Sequence, residues 1–400
     1  MTPSFIPYAK QSMDDDDITA VVEVLRSDWL TQGPKIAEFE KALARRTGAK
    51  HAVAVATGTA ALHCACFAAG VGPGDEVITV PITFAASGNC ALFLGATVRF
   101  VDIRFDTYLM DPVKLEEAIT PRTKAIVPVD YTGQPCDMDE INAIAERHGL
   151  TVIEDAAHAL GGSYKGRPVG SLADMSIFSF HPVKHVAMGE GGAITTDDNT
   201  LAEHLRLFRT HGITGAPEAM VLADQAADNE GEGTERRNPE DKAGWYYEMQ
   251  ALGYNYRITD IQCALGVSQL GKLDRFLARR EEIARKYSEA FSSSPYLVVP
   301  HQEPDRKNAW HLYMLRLRLD RITKTRRQVF DDLRSQGIGV HVHYIPLHLL
   351  PYYRDRFGYG RGDFPVAEAY YDSALTLPLF PAMTDGDVSR VVDAVLSTVA

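Results

Sequence analysis

Short apolar runs alternate with amphipathic stretches through the first half of the chain. The runs are rich in β-branched residues and nearly continuous in hydrophobicity, which is typical of strands covered on both faces. They lie at 52–56, 76–80, 97–101, 124–129 and 150–155. Helical patterns lie between them at 59–69, 84–94, 112–119 and 137–148, the last with Asp137 and Glu140 placed to form a capping box. This alternation predicts an α/β fold with a mainly parallel sheet and helices on both faces, in which ligands bind at the carboxyl ends of the strands.

The second half of the chain predicts a different organisation. Two further strands are expected at 175–180 and 192–196, followed by a helix over 201–209. The segment 215–243 is polar and acidic, which favours a mobile loop, and a long amphipathic helix is expected over 259–287. The remainder is predicted to be a smaller α/β unit. The expected organisation is an N-terminal arm (1–30), a large domain (31–270, with the insertion at 215–243) and a small C-terminal domain (271–400).

Composition and charge narrow the class of protein. Of the 400 residues, 45% are hydrophobic and 24% are charged, as in ordinary globular proteins. The formal net charge of −12 repels a nucleic acid backbone, so no nucleic acid partner is expected. The five cysteines are scattered and form no CxxC pair, which favours reduced thiols in a cytoplasmic compartment.

Two uncharged stretches raise the question of a membrane. Residues 52–71 and 77–98 are long enough to span a bilayer, but the first is only weakly apolar and the second contains Pro81, Gly88 and Asn89. The first residues, MTPSFIPYAK, also lack the layout of a signal peptide. We therefore predict buried strand–turn–helix units and no membrane partner.

Lys184 is the first candidate for chemistry. It lies in SFHPVKHVAMGEGG, between two β-like runs and beside a glycine-rich turn. Most lysines in loops are solvated surface charges, but a confined lysine can lose its proton and form an imine with an aldehyde cofactor. Asp155 ends the run TVIED, at the edge where such a sheet binds ligands. It is either a helix N-cap or a carboxylate that pairs with a pyridinium nitrogen.

A phosphate site is predicted where the first strand meets the next helix. Thr57, Gly58 and Thr59 place small and hydroxylated residues at a helix N-terminus, where free N–H groups bind anions. Ser179 is placed to add a hydroxyl, and Phe84 is either core or a ring stacked on an aromatic cofactor. Imine lysine, pyridinium acid, phosphate cradle and stacking ring together predict pyridoxal 5′-phosphate as cofactor.

Several motifs in this order resemble the DegT/DnrJ/StrS family of sugar aminotransferases, which have fold type I. The motifs are TGTAAL, VPITFAAS, VIEDAAHALGG, FSFHPVKHVAMGEGGAITT and LGYNYRITDIQCALGVSQL. The resemblance covers nearly the whole chain, and the EGG after Lys184 is similar to the branch that acts at sugar C4. Family dehydratases carry histidine at the position of Lys184, so the lysine favours transamination.

The resemblance implies a role for each matching residue. Lys184 and Asp155 would be the catalytic lysine and the pyridinium partner. The other implied cofactor contacts are Gly58, Thr59, Phe84, His158 near the phenolic oxygen, Ser179, and Asn255 reaching the cofactor of a neighbouring subunit. The implied sugar contacts are Tyr8, Asp28, Trp29, Leu30, Thr31, Thr57, His343 and Tyr344. A homodimer with shared active sites is therefore expected.

Similarity in FIPYAKQ, SDWLTQGP, SFHPVKH and VHYIP implies a substrate class. These segments are most similar to members that transfer an amino group from L-glutamate to C4 of a UDP-4-keto-6-deoxy-N-acetylhexosamine, on the route to pseudaminic acid. The alternatives are another nucleotide-sugar 4-aminotransferase, of the perosamine or 4-amino-arabinose type, and a catalytically idle cofactor-binding regulator. A reductase is disfavoured because no GxGxxG follows the first strand.

Two further features carry competing interpretations. The segment 215–243 is longer than is usual in the family, and it is either a surface insertion or a lid that alters substrate choice. The histidines His341, His343 and His348 invite a metal site, but no carboxylate or cysteine in the same stretch completes a ligand set. A substrate-contacting pair is expected there and no metal.

Overall fold

The structure is a computed structural model that describes residues 5–216, 219–222 and 245–400. Most of the acidic segment predicted at 215–243 therefore lies outside the described residues. The helices are α1 (Asp15–Leu25), α2 (Pro34–Thr47), α3 (Gly58–Ala68), α4 (Ala85–Phe93), α5 (Pro112–Ala118), α6 (Met138–His148), α7 (Asn199–Arg209), α8 (Asp260–Gly271), α9 (Leu273–Phe291), α10 (Arg326–Ser335), α11 (Pro351–Phe357), α12 (Pro365–Ser373) and α13 (Asp385–Val399). The strands are β1 (His51–Val55), β2 (Glu76–Thr79), β3 (Thr97–Phe100), β4 (Thr123–Ile126), β5 (Thr151–Asp155), β6 (Ser163–Tyr164), β7 (Arg167–Pro168), β8 (Met175–Ser179), β9 (Gly192–Thr196), β10 (Ile213–Thr214), β11 (Glu248–Met249), β12 (Leu297–Val298), β13 (Arg306–Lys307), β14 (Tyr313–Leu317) and β15 (Ala374–Leu377).

A seven-stranded sheet organises the first half of the chain. Its strand order is β1-β9-β8-β5-β4-β2-β3, and each predicted apolar run overlaps one of these strands. All the strands run in one direction except β9, which is antiparallel to both β1 and β8. Strands β1, β2, β5 and β8 are almost wholly buried, as their continuous hydrophobicity requires when helices cover both faces. The predicted α/β class with a mainly parallel sheet is confirmed.

A second apolar core lies in the C-terminal third of the chain. The three-stranded sheet β12-β14-β15 packs with α9, α10 and α13, and Ile6 from the N-terminal segment joins it beside Ile338. The helices α11 and α12 do not belong to this core, because Tyr353 and Tyr370 pack in the core of the large sheet. The predicted division at residues 270 and 271 stays a prediction.

The prediction of one long helix over 259–287 is wrong, because the structure has two helices there, α8 and α9. The break falls at Lys272, directly after Gly271, and glycine is a poor helix former. The Lys272 ammonium pairs there with Asp14 and with Asp17, the latter at 2.9 Å, both on the N-terminal segment. The hydrophobic pattern continues across the break, and for this reason periodicity alone did not reveal it.

The capping box predicted at Asp137 is also wrong. Asp137 does precede α6, but its side chain makes no capping hydrogen bond. Its carboxylate instead accepts hydrogen bonds from Arg306 at 2.8 Å and from Arg104 at 3.2 Å. Two guanidinium groups brought from distant segments compete successfully with the local backbone N–H groups.

All five cysteines are free and buried, at positions 64, 66, 90, 136 and 263. Burial raises the pKa of the Cys64 thiol to about 12, and burial also raises the pKa of the Cys136 thiol well above its usual range. Among the described helices, none is both long enough and apolar enough to cross a bilayer.

Candidate active site

A cavity of about 650 Å³ lies at the carboxyl edge of the large sheet. The structure brings together most of the residues predicted for the site. The lining includes Tyr8, Thr57, Gly58, Thr59, Phe84, Asp155, His158, Ser179, Lys184, His343 and Tyr344. These residues come from segments far apart in the chain. The strand order brings together those that follow β1, β5 and β8, whereas Tyr8, His343 and Tyr344 come from segments outside the large sheet.

The predicted phosphate cradle is formed where β1 leads into α3. Thr57 caps the helix, because its Oγ1 accepts a hydrogen bond from the Ala60 N–H at 3.0 Å. A Cβ atom at Gly58 would lie 2.9 Å from Cβ of Ser179, and one at Gly192 would lie 2.3 Å from the carbonyl oxygen of Thr57. Only glycine permits both approaches, which bring Ser179 on β8 and the start of β9 against the helix N-terminus. Free N–H groups and a hydroxyl thus share one anion-binding corner.

Asp155 ends β5 and is nearly inaccessible to solvent. The Ser87 hydroxyl on α4 donates to its Oδ2 at 2.6 Å, and the Ala157 N–H donates to its Oδ1 at 3.2 Å. Thr83 lies 2.7 Å from the Ser87 hydroxyl and extends this chain of hydroxyls. Burial raises the pKa of Asp155, while the hydrogen bonds and the charge of Lys184 act in the opposite direction. A cationic ring N–H placed here would relieve the cost of a buried carboxylate.

Lys184 projects into the cavity from the loop between β8 and β9. Its Nζ lies 3.4 Å from Nε2 of His311, and no salt bridge joins it to a carboxylate in the described part of the chain. Burial lowers the pKa of Lys184 to about 7, with the charge of Arg280 adding to that effect and the charge of Asp155 opposing it. Near neutral pH about half of the amine is therefore unprotonated, as a nucleophile or a proton carrier requires.

The imidazoles around the amine are neutral. Burial holds the pKa of His158 well below its usual range, and it lowers the pKa of His343 to about 3. His158 Nε2 lies 3.3 Å from the Tyr344 hydroxyl, and His343 Nδ1 lies 2.7 Å from the Thr376 hydroxyl. These rings form a polar but uncharged part of the cavity wall.

Five predicted site residues lie away from this cavity in the single chain: Asp28, Trp29, Leu30, Thr31 and Asn255 are all exposed. The segment 28–31 is held near α8, where the Asp260 N–H donates to the carbonyl oxygen of Leu30 at 3.0 Å. Asn255 forms an isolated bridge with Thr210. Their roles stay predictions.

Several lining residues were not predicted as site residues: Thr83, Ser87, His181, Glu190 and His311. Ser87 could have been found, because it lies three residues after Phe84 in the same VPITFAAS motif. His311 carries no comparable signal, since it is separated from Lys184 by 127 positions.

The three histidines at 341–348 serve different purposes. His348 is buried and lies 3.0 Å from Glu368, whereas the His343 ring packs beside Tyr8 at the cavity wall. Within the described residues, no group of three His, Cys, Asp or Glu side chains is placed to hold a metal ion.

The donor set of the cavity fits pyridoxal 5′-phosphate. Among the residues that the structure describes, no carboxylate forms a salt bridge with the Lys184 amine, which can therefore bond the cofactor aldehyde. Asp155 is presented to the cavity with hydrogen bonds on both oxygens, ready for a ring N–H. The cradle of Thr57, Gly58 and Ser179 offers N–H and hydroxyl donors to a phosphate. Each polar group of the cofactor thus meets a complementary group of this chain.

Comparison with known proteins agrees with this site. Residues 11–396 match the model of the DegT/DnrJ/EryC1/StrS aminotransferase family. The chain is 46% identical over 392 residues to the spore coat polysaccharide biosynthesis protein SpsC of Bacillus subtilis, which covers 98% of this chain and 96% of that protein. Helicobacter pylori PseC, an aminotransferase involved in the biosynthesis of pseudaminic acid, superposes with a TM-score of 0.88 at 32% identity, covering 99% of each chain.

The cofactor prediction is confirmed at the level of the family. The putative sugar aminotransferase Spr1654 of Streptococcus pneumoniae has been solved in its PLP form and its PMP form. The PLP form superposes with a TM-score of 0.87 at 32% identity and covers 98% of each chain. The chain therefore belongs to the DegT/DnrJ/EryC1/StrS aminotransferase family and is a sugar aminotransferase that depends on pyridoxal 5′-phosphate.

Proposed function

We propose that this enzyme transfers the amino group of L-glutamate to C4 of a UDP-4-keto-6-deoxy-N-acetylhexosamine. The product is a UDP-4-amino sugar for glycans of the pseudaminic acid type. The observation that carries the proposal is the likeness to PseC over 99% of both chains, together with a cavity that presents Lys184 and Asp155 to one ligand.

Lys184 moves the protons in this proposal. Its Nζ, with a pKa of about 7, takes a proton from Cα of the amino acid and later returns one to C4 of the sugar. When bound, pyridoxal 5′-phosphate supplies an electron-accepting ring that stabilises negative charge on the carbon losing its proton. Asp155 holds the proton on the ring nitrogen, and Ser87 holds Asp155 in place.

The wall of the cavity receives the sugar. Tyr8, His343 and Tyr344 form a continuous aromatic surface, with the Tyr8 and His343 rings 5.4 Å apart and the His343 and Tyr344 rings 4.8 Å apart. Neutral rings with polar edges suit a sugar that carries hydroxyl and amide groups. Phe84 is 61% exposed at the mouth, where its ring can cover the cofactor.

A second copy of the chain completes the site in this proposal. Among the described residues that line the cavity, Lys184 is the one lysine and there is no arginine. The phosphates of a nucleotide sugar therefore require cationic groups from elsewhere. Trp29 and Leu30 are about half exposed, and Asn255 lies on the same chain segment as exposed Tyr254. An apolar exposed surface that also carries predicted site residues is suited to a homodimer with shared active sites.

SpsC supports a second candidate substrate. Its identity of 46% exceeds that of PseC, and its name assigns it to a spore coat polysaccharide. The alternative is therefore another nucleotide-sugar 4-aminotransferase, of the perosamine or 4-amino-arabinose type, with the same use of Lys184 and Asp155.

A panel of nucleotide 4-keto sugars tests the substrate. Purified enzyme, pyridoxal 5′-phosphate and L-glutamate are combined with each sugar, and 2-oxoglutarate and the amino sugar are measured. We expect the UDP-4-keto-6-deoxy-N-acetylhexosamine to give the highest kcat/KM. A higher value with a GDP-linked or pentose substrate would replace the proposal with the alternative, and no turnover of any member would favour the idle regulator.

Mixing two inactive variants tests the shared site. Lys184→Arg and Asn255→Ala chains are combined under conditions that exchange subunits. If Asn255 serves the partner's site, hybrid dimers regain one intact site, and roughly one quarter of the wild-type activity returns. Unmixed variants are the controls, and a mixture that stays inactive while subunits exchange argues against sharing.

A further inference from the structure

Among the described residues, His311 is the one whose side chain lies within hydrogen-bond distance of the Lys184 amine. It precedes β14, lines the cavity and is 3% exposed. Its Nε2 lies 3.4 Å from Nζ of Lys184, and its ring centroid lies 4.3 Å from that of His158, with the two rings tilted by 43°. His311 therefore touches the atom that carries protons in the proposed reaction.

The loop that carries His311 is held from several directions. The His311 N–H donates to the carbonyl oxygen of Thr132 at 2.8 Å, and the Trp310 N–H donates to Oδ1 of Asn308 at 2.6 Å. The buried guanidinium of Arg280 donates to the carbonyl oxygens of Trp310 and His311, at 3.2 and 3.3 Å. A ring fixed through its backbone in this way keeps a constant distance from Lys184.

The hydrogen-bond inventory selects one tautomer of His311. No partner for its Nδ1 is found among the described residues, although that atom is buried. Buried N–H groups without an acceptor are rarer than buried acceptors without a donor, so Nδ1 carries the lone pair and Nε2 carries the proton. The Nε2–H then points to Nζ of Lys184, which can accept a hydrogen bond only as a neutral amine.

We propose that His311 is a catalytic residue of this aminotransferase, whose Nε2–H donates to the lone pair of the neutral Lys184 amine. The proposal rests on the role of Lys184 in the proposed function. His311 keeps its own proton throughout. When Lys184 gains a proton the lone pair is lost and so is the hydrogen bond, so His311 favours the return of Lys184 to its basic form after each transfer.

The other groups near Lys184 do not replace this hydrogen bond. Asp155 favours the ammonium form by its charge, and Arg280 disfavours it. His158 is occupied by the Tyr344 hydroxyl, and His185 Nε2 lies 2.8 Å from the carbonyl oxygen of Ala309. Both of these imidazoles are neutral, because burial lowers their pKa values well below the usual range.

The titration of Lys184 in the full chain without cofactor tests the proposal. Acetylation of Lys184 by acetic anhydride is followed by mass spectrometry as a function of pH. In His311→Phe the neutral amine loses its hydrogen-bond donor, so the pH at which half of Lys184 is labelled should rise. The expected rise is about 0.5 to 1 pH unit, which corresponds to the free energy of one hydrogen bond. In His311→Gln an amide N–H replaces the donor, and the midpoint should stay near that of the wild type.

The controls separate this role from a loss of folding. His204→Phe replaces an exposed imidazole on α7 and should leave the midpoint unchanged. Melting temperatures identify any variant that does not fold. If His311→Phe does not fold, the labelling midpoint of His311→Gln is the deciding measurement. An unchanged or lowered midpoint in folded His311→Phe overturns the proposal. Since neither sugar nor glutamate is present, failure of the substrate panel would leave this result untouched.

Discussion

Lys184 and Lys272 show how two regions of one protein use the same amine differently. Lys272, at the junction of α8 and α9, pairs with Asp14 and Asp17 of the N-terminal segment. Burial lowers its pKa, but the hydrogen bonds to these two carboxylates outweigh that effect and raise it. In the described part of the chain, the one side-chain hydrogen-bond contact of Lys184 is with the neutral imidazole of His311, and the pKa of Lys184 falls to about 7.

The two regions differ in what surrounds the amine. The junction provides carboxylates that fix a permanent charge and anchor α1 against α8. The cavity provides imidazoles, hydroxyls and the carboxylate of Asp155, which also accepts a hydrogen bond from Ser87. Lys184 differs from Lys272 because, among the described residues, no carboxylate lies close enough to its amine to hold the proton in an ion pair.

The largest expected effect follows from replacing the reactive amine. Lys184→Arg keeps a positive charge but cannot give up its proton at neutral pH, so we expect steady-state transamination to fall about a thousandfold or more. The coupled assay of 2-oxoglutarate formation measures this loss. Lys272→Arg is the matched control and should keep full kcat, and an active Lys184→Arg enzyme would refute the role of Lys184.

Exchanging a carboxylate in each region should separate chemistry from anchoring. Asp155→Asn cannot hold the ring nitrogen proton, and we expect kcat to fall about a hundredfold to a thousandfold. Asp17→Asn should leave kcat unchanged and lower the melting temperature, because Lys272 loses its buried partner. Equal effects on kcat from both variants would contradict the distinction.

The pH dependence of cofactor uptake should report on Lys184 directly. With a pKa of about 7, a group that must be unprotonated is about ten times less available at pH 6 than on its plateau above pH 8. The association rate of the cofactor-free chain with pyridoxal 5′-phosphate, followed by absorbance, should rise in this way and then level off. A rate that keeps rising to pH 10 would indicate an ordinary lysine.

The smallest effect on activity is expected at the junction. Lys272→Met leaves the buried Asp17 carboxylate with hydrogen bonds from Ser268, Gln269 and the Asp14 N–H but without its ion-pair partner, and should cost about 1–3 kcal/mol of unfolding free energy. Thermal or denaturant unfolding measures the loss, while kcat stays near the wild-type value. Lys114→Met, which removes an exposed i,i+3 pair, should change stability by much less.

Hydrophobic patterning predicted the strands of the large sheet but not the direction of each. The run at 192–196 looks like its neighbours, yet β9 is antiparallel to both β1 and β8. Strand direction depends on the path of the connecting loop, which ends where Gly192, the first residue of β9, approaches Thr57. The break at Lys272 was missed for a related reason, because the partners that hold it lie more than two hundred residues earlier.

The candidate site was predictable where its residues follow strands. Asp155, Thr57 and Ser179 end or follow strands. Because ligands bind at the carboxyl ends of the strands in such a sheet, these residues are expected to lie together. His311 and Arg280 have no such marker, since they reach Lys184 only through the packing of the C-terminal segments on the large sheet. Pairwise proximity across long separations is set by tertiary structure, which local pattern does not encode.

The burial of all five thiols has a practical consequence for spectroscopy. Thiol reagents attack the thiolate, and burial keeps all five thiols from solvent while it also raises the pKa of Cys64 and of Cys136. The native thiols are therefore expected to react little with maleimides, so no cysteine has to be removed before labelling. A cysteine introduced at exposed Met249 or Trp29 would carry a single fluorophore or spin label, and distances between such labels could be followed while substrate binds.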